Sequence, residues 1–196
     1  MPDMTYGTLV GAKNVDGSIR NWVNVADLPV EAILTDTQAI IYGALRVREM
    51  MRRLSIIIPV GTSSMALPDD FLDPISLTPQ DGQGNVDLVE MTELERARAY
   101  DANGVVQTGD ICHASVTSTL DFDAASQTAR RLTLFYYGKP ESLGPNNQEN
   151  FLTRRYPNIV RPMTAALAAD FRHDDENYQR WLQRASSLIS SASVES

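Results

Sequence analysis

The segment ICHASVTSTLDFDAASQTARRLTLFYY, residues 111–137, decides the fold class. Its ends, Ile111 to Leu120 and Ala129 to Tyr137, are rich in Thr, Val, Leu and aromatic residues, which suit a pleated, half-buried surface. Asp121 to Ser126 turns between them. Upstream, Ile56 to Val60 is a β-branched run broken by Pro59, which removes a ladder donor, so it reads as an edge strand or a crossing segment rather than a central strand. Ile75 to Leu77 and Val86 to Val89 flank Asp81-Gly82-Gln83-Gly84-Asn85 and read as a hairpin. Thr92 and Glu95 stand at capping-box spacing and predict a short helix or turn over Thr92 to Ala99. Residues 55–137 are thus a β-rich insertion.

Its flanks follow a helical period. Asp27-Leu28-Pro29 offers a helix start, and Thr35 with Gln38 offers a second. Ile40, Ile41, Ala44, Leu45, Val47, Met51 and Leu54 then recur at helical spacing, which predicts helix over 28–54. After Tyr137, the Gly, Pro and Asn content makes a loop. Residues 148–189 hold the C-terminal helices. Asn150 caps a first turn, Pro157 opens a longer helix, and Asp174-Asp175 begins a last one. That last helix carries Tyr178, Trp181, Leu182, Ala185, Leu188 and Ile189 as an apolar stripe, with Trp181 expected in the core. Residues 1–27 read as an extended arm and 190–196 as a tail with no core-forming pattern. The expected fold is α+β: a helical bundle frame, made of an N-terminal long helix and a C-terminal helix pair, with a β-rich insertion and extended terminal arms.

A chain of 196 residues with 43% hydrophobic content builds one domain, or a domain with a sub-domain, without a disulfide or metal staple. The single cysteine, Cys112, excludes an intrachain disulfide and fits a reducing compartment. No apolar stretch approaches the roughly 20 residues that cross a bilayer, and Met1 to Ala12 lacks a signal-peptide pattern, so a soluble, intracellular protein is expected. Seventeen Lys and Arg against 25 Asp and Glu give a net charge of −8, which argues against coating duplex DNA.

Catalytic signatures are scarce. Cys112 and His113 are strand neighbours whose side chains point to opposite faces, which disfavours a thiol–imidazole dyad. His173 beside Asp174-Asp175 suits a helix start better than a metal site. Gly82-Gln83-Gly84 lacks the rest of a dinucleotide fingerprint. The pairs Asp69-Asp70 and Asp121/Asp123 fall at turn positions that favour Asp for backbone reasons. No catalytic, cofactor-binding or metal-ligating residue is therefore assigned. Arg52-Arg53, Arg130-Arg131 and Arg154-Arg155 either grip phosphate or partner carboxylates or occupy solvated surface.

Several motifs stand in a set order across residues 20–190. They are Asn21-Trp22-Val23-Asn24, Asp27-Leu28-Pro29, Leu67-Pro68-Asp69-Asp70-Phe71-Leu72, Leu132-Thr133-Leu134-Phe135-Tyr136-Tyr137, Tyr156-Pro157, and Asp174-Asp175 ahead of Tyr178 and Trp181. In this order the chain resembles the head-to-tail adaptor proteins of tailed bacteriophages. The resemblance implies a non-enzymatic virion protein at the head-tail junction, assembled in the host cytoplasm. It would form an oligomeric ring, usually dodecameric, beneath the portal, extending the channel for passing double-stranded DNA and giving tail or nozzle proteins their platform. The implied partners are the portal protein, tail proteins and neighbouring copies. By the same resemblance Arg154, Arg155, Leu188, Ile189 and Val194 are candidate portal contacts, and Arg52, Arg53, Arg130 and Arg131 candidate subunit contacts. A head stopper or tail terminator, or a small nucleic-acid-processing enzyme, are the alternatives.

Overall fold

The structure, a computed structural model, describes residues 4–80, 82 and 84–194. The fold is mixed α+β, and the chain divides into two compact units, Met1–Met50 with Pro140–Ser196, and Met51–Lys139.

The second unit is built around strands. Strand β1 (Met51–Ile58) and strand β3 (Phe71–Pro79) both pair antiparallel with the central β9 (Arg130–Gly138). A four-stranded sheet joins β2 (Ser64–Ala66), β7 (Thr119–Phe122), β6 (His113–Val116) and β4 (Asp87–Leu88) in that order. Two short strands, β5 (Thr108–Gly109) and β8 (Ala125–Ser126), pair in parallel. The core follows from the strand period: Leu132, Leu134 and Tyr136 alternate along β9 and meet Ile58, Leu77, Ile111, Leu120 and Phe122. Gly138 closes β9 at a close approach: a Cβ there would lie 2.7 Å from both Arg52 Cγ and Asp70 Oδ2 and would force those side chains to shift. Helix α4 (Met91–Ala97) stands close to the expected short helix and buries Leu94.

Pro59 does end an edge strand, as its missing donor requires. The expected hairpin does not form. Strands β3 and β4 lie in different sheets, and β4 pairs parallel with β6 instead; Asp81 and Gln83 of the expected turn lie outside the described residues. The expected strand over Ile111 to Leu120 is folded back on itself at Thr117 and Ser118, so that β6 and β7 pair antiparallel.

In the first unit, α3 (Val30–Ala44) and α6 (Pro157–Phe171) pack together, and α7 (Asp175–Val194) lies along α6. Ala165, Ala166, Ala168 and Ala169 are buried in α6 and let its neighbours approach closely. Helix α3 stops ten residues short of the predicted end. Leu45 turns to extended backbone, and the Arg46 guanidinium donates to the carbonyls of Tyr42 and Leu45, satisfying the helix end. Met51 and Leu54, which continue the helical period in sequence, belong to β1.

The expected N-terminal arm is folded rather than extended. Thr5 caps α1 (Tyr6–Leu9) and Ser18 caps α2 (Ile19–Trp22), each accepting a backbone N–H. Arg20 donates to the carbonyls of Val10, Gly11, Ala26 and Leu28, which clamps the intervening loops. The two helices are four residues each, too short to print a period in the sequence.

Helix α7 also runs past Ile189, where a tail is expected, to Val194. Ile189 is buried, and the Ser193 hydroxyl accepts the Arg46 backbone N–H. Truncating the chain after Ser187 therefore lowers helical-unit stability by about 2 kcal/mol, the scale of one buried Ile. A denaturation midpoint equal to that of the full chain would refute this. No described helix is long and apolar enough to cross a membrane.

Candidate functional site

The polar clusters that a catalytic reading needs are tied into the fold. Asp123 Oδ2 lies 2.9 Å from His113 Nδ1, and Asp123 Oδ1 accepts the Cys112 backbone N–H at 3.1 Å. That carboxylate fixes the entry to β6 and bridges to the Cys112 backbone, not its thiol. Asp70 accepts the Tyr136 hydroxyl at 2.9 Å, and Phe71 stacks on the Tyr136 ring. Burial, then the Asp70 carboxylate, raises the Tyr136 phenol above its ordinary value. Among the described residues no group of three or more His, Cys, Asp and Glu could hold a metal ion.

The arginine pairs separate into different environments. Arg154 is exposed on α5 (Phe151–Arg155), while Arg155 pairs with Glu49. Arg52 and Arg53 lie on edge strand β1, with the Arg53 guanidinium 5.8 Å from the centre of the Phe135 ring. Arg131 is exposed on β9, but Arg130 is buried in the β unit and donates to the carbonyls of Ile111 and Gly84. Its neighbour in sequence thus faces solvent while Arg130 serves the fold, because adjacent strand positions point to opposite faces. Leu188 is half-buried and Ile189 fully so, already covered within the helical unit. The side chain of Val194 lies outside the described residues.

A feature that no single stretch of sequence displays lies between α2, α6 and α7. There Trp22, Arg161, Arg172, Arg180, Trp181 and Arg184 line an open groove of about 540 Å³. Trp181 is half-buried and forms a groove wall, not the core position expected from its place in the stripe. The guanidinium of Arg161 lies 5.1 Å from the Trp22 ring centre, and those of Arg180 and Arg184 lie 5.2 and 5.7 Å from that of Trp181. Arg161 Nε is buried without a hydrogen-bond partner among the described residues. Asp174, the lining acid, caps α7 by accepting the Asn177 side-chain and backbone N–H groups, which hold its carboxyl below the usual range; Arg172 and Arg180 add to that effect. The sequence signal was present in part: Arg180 and Arg184 at i, i+4 share one helix face beside Trp181. Trp22 and Arg161 join them only through the fold.

The outward face of α3 has the contrary character. Glu31, Ala32, Thr35, Asp36, Ala39 and Ile40 are exposed along it at successive turns.

The family model for the SU10 adaptor protein matches residues 4–196 of the chain. No curated protein matches it.

Proposed function

The chain belongs to the SU10 adaptor protein family, a family of phage head-to-tail adaptors, and from that premise we propose that twelve copies of it form a ring beneath the portal vertex. The ring extends the DNA channel and carries the tail's docking platform, with the helical unit as a bundle frame and the β unit as an insertion on it. The observation that carries this reading is the family match over nearly the whole chain. The charge of −8 supports it, since a wall of that sign does not hold passing phosphates. The location that follows is the head-tail junction of the virion, with portal and tail proteins as neighbours.

The test mixes the purified chain with portal rings and images the product by electron microscopy. A second ring stacked on one end of the portal is expected. A bare portal at saturating protein overturns the reading in favour of a stopper or terminator elsewhere in the neck. Arg154 and Arg155 are proposed portal contacts, because long guanidinium side chains at a helix end suit carboxylate partners. Changing both to Glu leaves melting within a few degrees of the parent, since both are solvent-exposed, and lowers portal occupancy about tenfold or more. Unchanged occupancy removes them from the contact surface.

A further inference from the structure

We propose that the groove of Trp22, Trp181 and their arginines seats the acidic outer face of α3 from a second copy of this chain. The proposal rests on the ring reading above and names one of its subunit contacts.

Sign is the first argument. The chain carries −8, yet this groove is lined by four arginines against one acid, Asp174, which already caps α7. None of Arg161, Arg172, Arg180 and Arg184 forms an ion pair within the described residues. Arg172, Arg180 and Arg184 are exposed, and Asp174 is the one acid of the lining to offset four like charges, so the groove favours an anionic occupant.

The aromatic rings decide between anions. A nucleic-acid strand would stack bases on exposed aromatic faces. Here guanidinium groups lie over both Trp rings, at 5.1 to 5.7 Å from their centres. Stacking holds those planar forks in place, the geometry that receives carboxylates in pairs. Arg161 Nε is a buried donor without a partner, on the same wall.

Helix α3 supplies the complement. Glu31 and Asp36 are exposed on it with Ala32, Ala39 and Ile40, an acidic and apolar face suited to lie in a groove. Glu31 and Asp36 stand about 7.5 Å apart along the axis and about 140° apart around it, so they flank Ala32, Thr35 and Ala39, while Arg180 and Arg184 stand about 6 Å apart on one stripe. The Tyr6 hydroxyl lies against the Glu31 carboxylate, which adds to burial in raising the Tyr6 phenol. Groove and face have no residue in common. Each copy therefore offers one seat and one insert, the unlike pair of surfaces that head-to-tail closure requires.

The experiment compares four full-length chains by sedimentation over a concentration series: the parent, R180E/R184E, E31R/D36R, and the variant with all four changes. Circular dichroism and melting confirm that each is folded. Parent self-association is expected, weakened about tenfold or more in each double variant and regained to within a few-fold in the fourfold charge swap. Recovery on swapping is a result that mere damage to α7 or α3 does not give. Double variants that associate like the parent, a swap without recovery, or a parent that stays monomeric each overturn the inference. Fluorescence titration of Trp22 and Trp181 with duplex DNA adds an arm: saturable binding abolished in R180E/R184E reassigns the groove to phosphate and overturns it too. Portal capture separates this from the ring reading. A parent that docks on portals while the double variants dock equally well sinks only the groove contact; a parent that never docks sinks the ring.

Discussion

Replacing Phe122 with Ala lowers the stability of the β unit by about 3 to 5 kcal/mol. Phe122 is fully buried at the end of β7 and belongs to the cluster that joins β9 to the four-stranded sheet. Its backbone is fixed independently: its N–H donates to Ser63 at 2.9 Å, and its carbonyl accepts Arg98 Nε at 2.9 Å. The strand therefore cannot easily shift to fill the hole, and the cavity persists. Amide exchange along β9 reads the effect, with protection lost by roughly a hundredfold or more. Phe122→Leu, which keeps most of the volume, costs about 1.5 kcal/mol or less. Equal exchange in the parent and the Ala variant would show that Phe122 is not a keystone of this core. Both tryptophans, Trp22 and Trp181, lie in the helical unit, so their fluorescence reports that unit in the same sample.

The parts of this fold that were legible in sequence are those decided within a few residues. Asp174 caps α7 and Asn150 caps α5, because a short polar side chain ahead of a helix has one obvious use for its oxygen. Strand β1 lies at a sheet edge and stops at Ile58, just before Pro59, whose missing N–H cannot extend the ladder. The errors come where a local signal had a distant competitor. Thr35 and Gln38 match a capping box, yet both lie inside α3: Thr35 donates to the Glu31 carbonyl, and Gln38 accepts the Leu143 backbone N–H, 105 residues away. The helical period that runs on to Leu54 is coincidental, and Arg46 ends the helix at Ala44 by a contact that periodicity does not contain. The strands around Asp81 to Asn85 were each real, but their partners were set by β9 and β6 rather than by the turn between them.

The candidate surfaces are likewise set by distant partners. Trp181 fits an apolar stripe by spacing alone, and spacing cannot tell a core position from a groove wall when Arg180 and Arg184 flank it. Arg130-Arg131 reads in sequence as a pair that either grips anionic partners or lies in solvent, and the strand period splits it into a buried clamp and an exposed charge. Surface chemistry here depends on which elements meet, and that information is non-local.

The second large effect is expected at Asn150. Asn150→Ala lowers the stability of the helical unit by about 2 to 4 kcal/mol, because the residue is both a cap and a network node. Its Oδ1 accepts the Thr153 N–H at 3.1 Å while Thr153 Oγ1 accepts the Asn150 N–H at 3.1 Å. Its Nδ2 donates among the Tyr42 hydroxyl at 2.8 Å, the Glu141 carbonyl at 3.2 Å and Gln38 Oε1 at 3.3 Å. Burial raises the Tyr42 phenol, so it stays a neutral donor, reaching the Glu141 carbonyl at 3.2 Å. Asn150→Asp separates the two roles, since a carboxylate keeps the cap acceptor but has no donor for Gln38 Oε1 or the Glu141 carbonyl. Those oxygens and burial hold its folded pKa above the unfolded value of about 3.9. The folded state then binds the proton more tightly, so the penalty is full above the folded pKa and shrinks as pH falls through it. Urea midpoints measured from pH 7 down to 4 should therefore converge between Asn150→Asp and the parent. Parallel curves, with the Asp variant close to the parent at every pH, would assign the whole effect to the cap and none to the buried network.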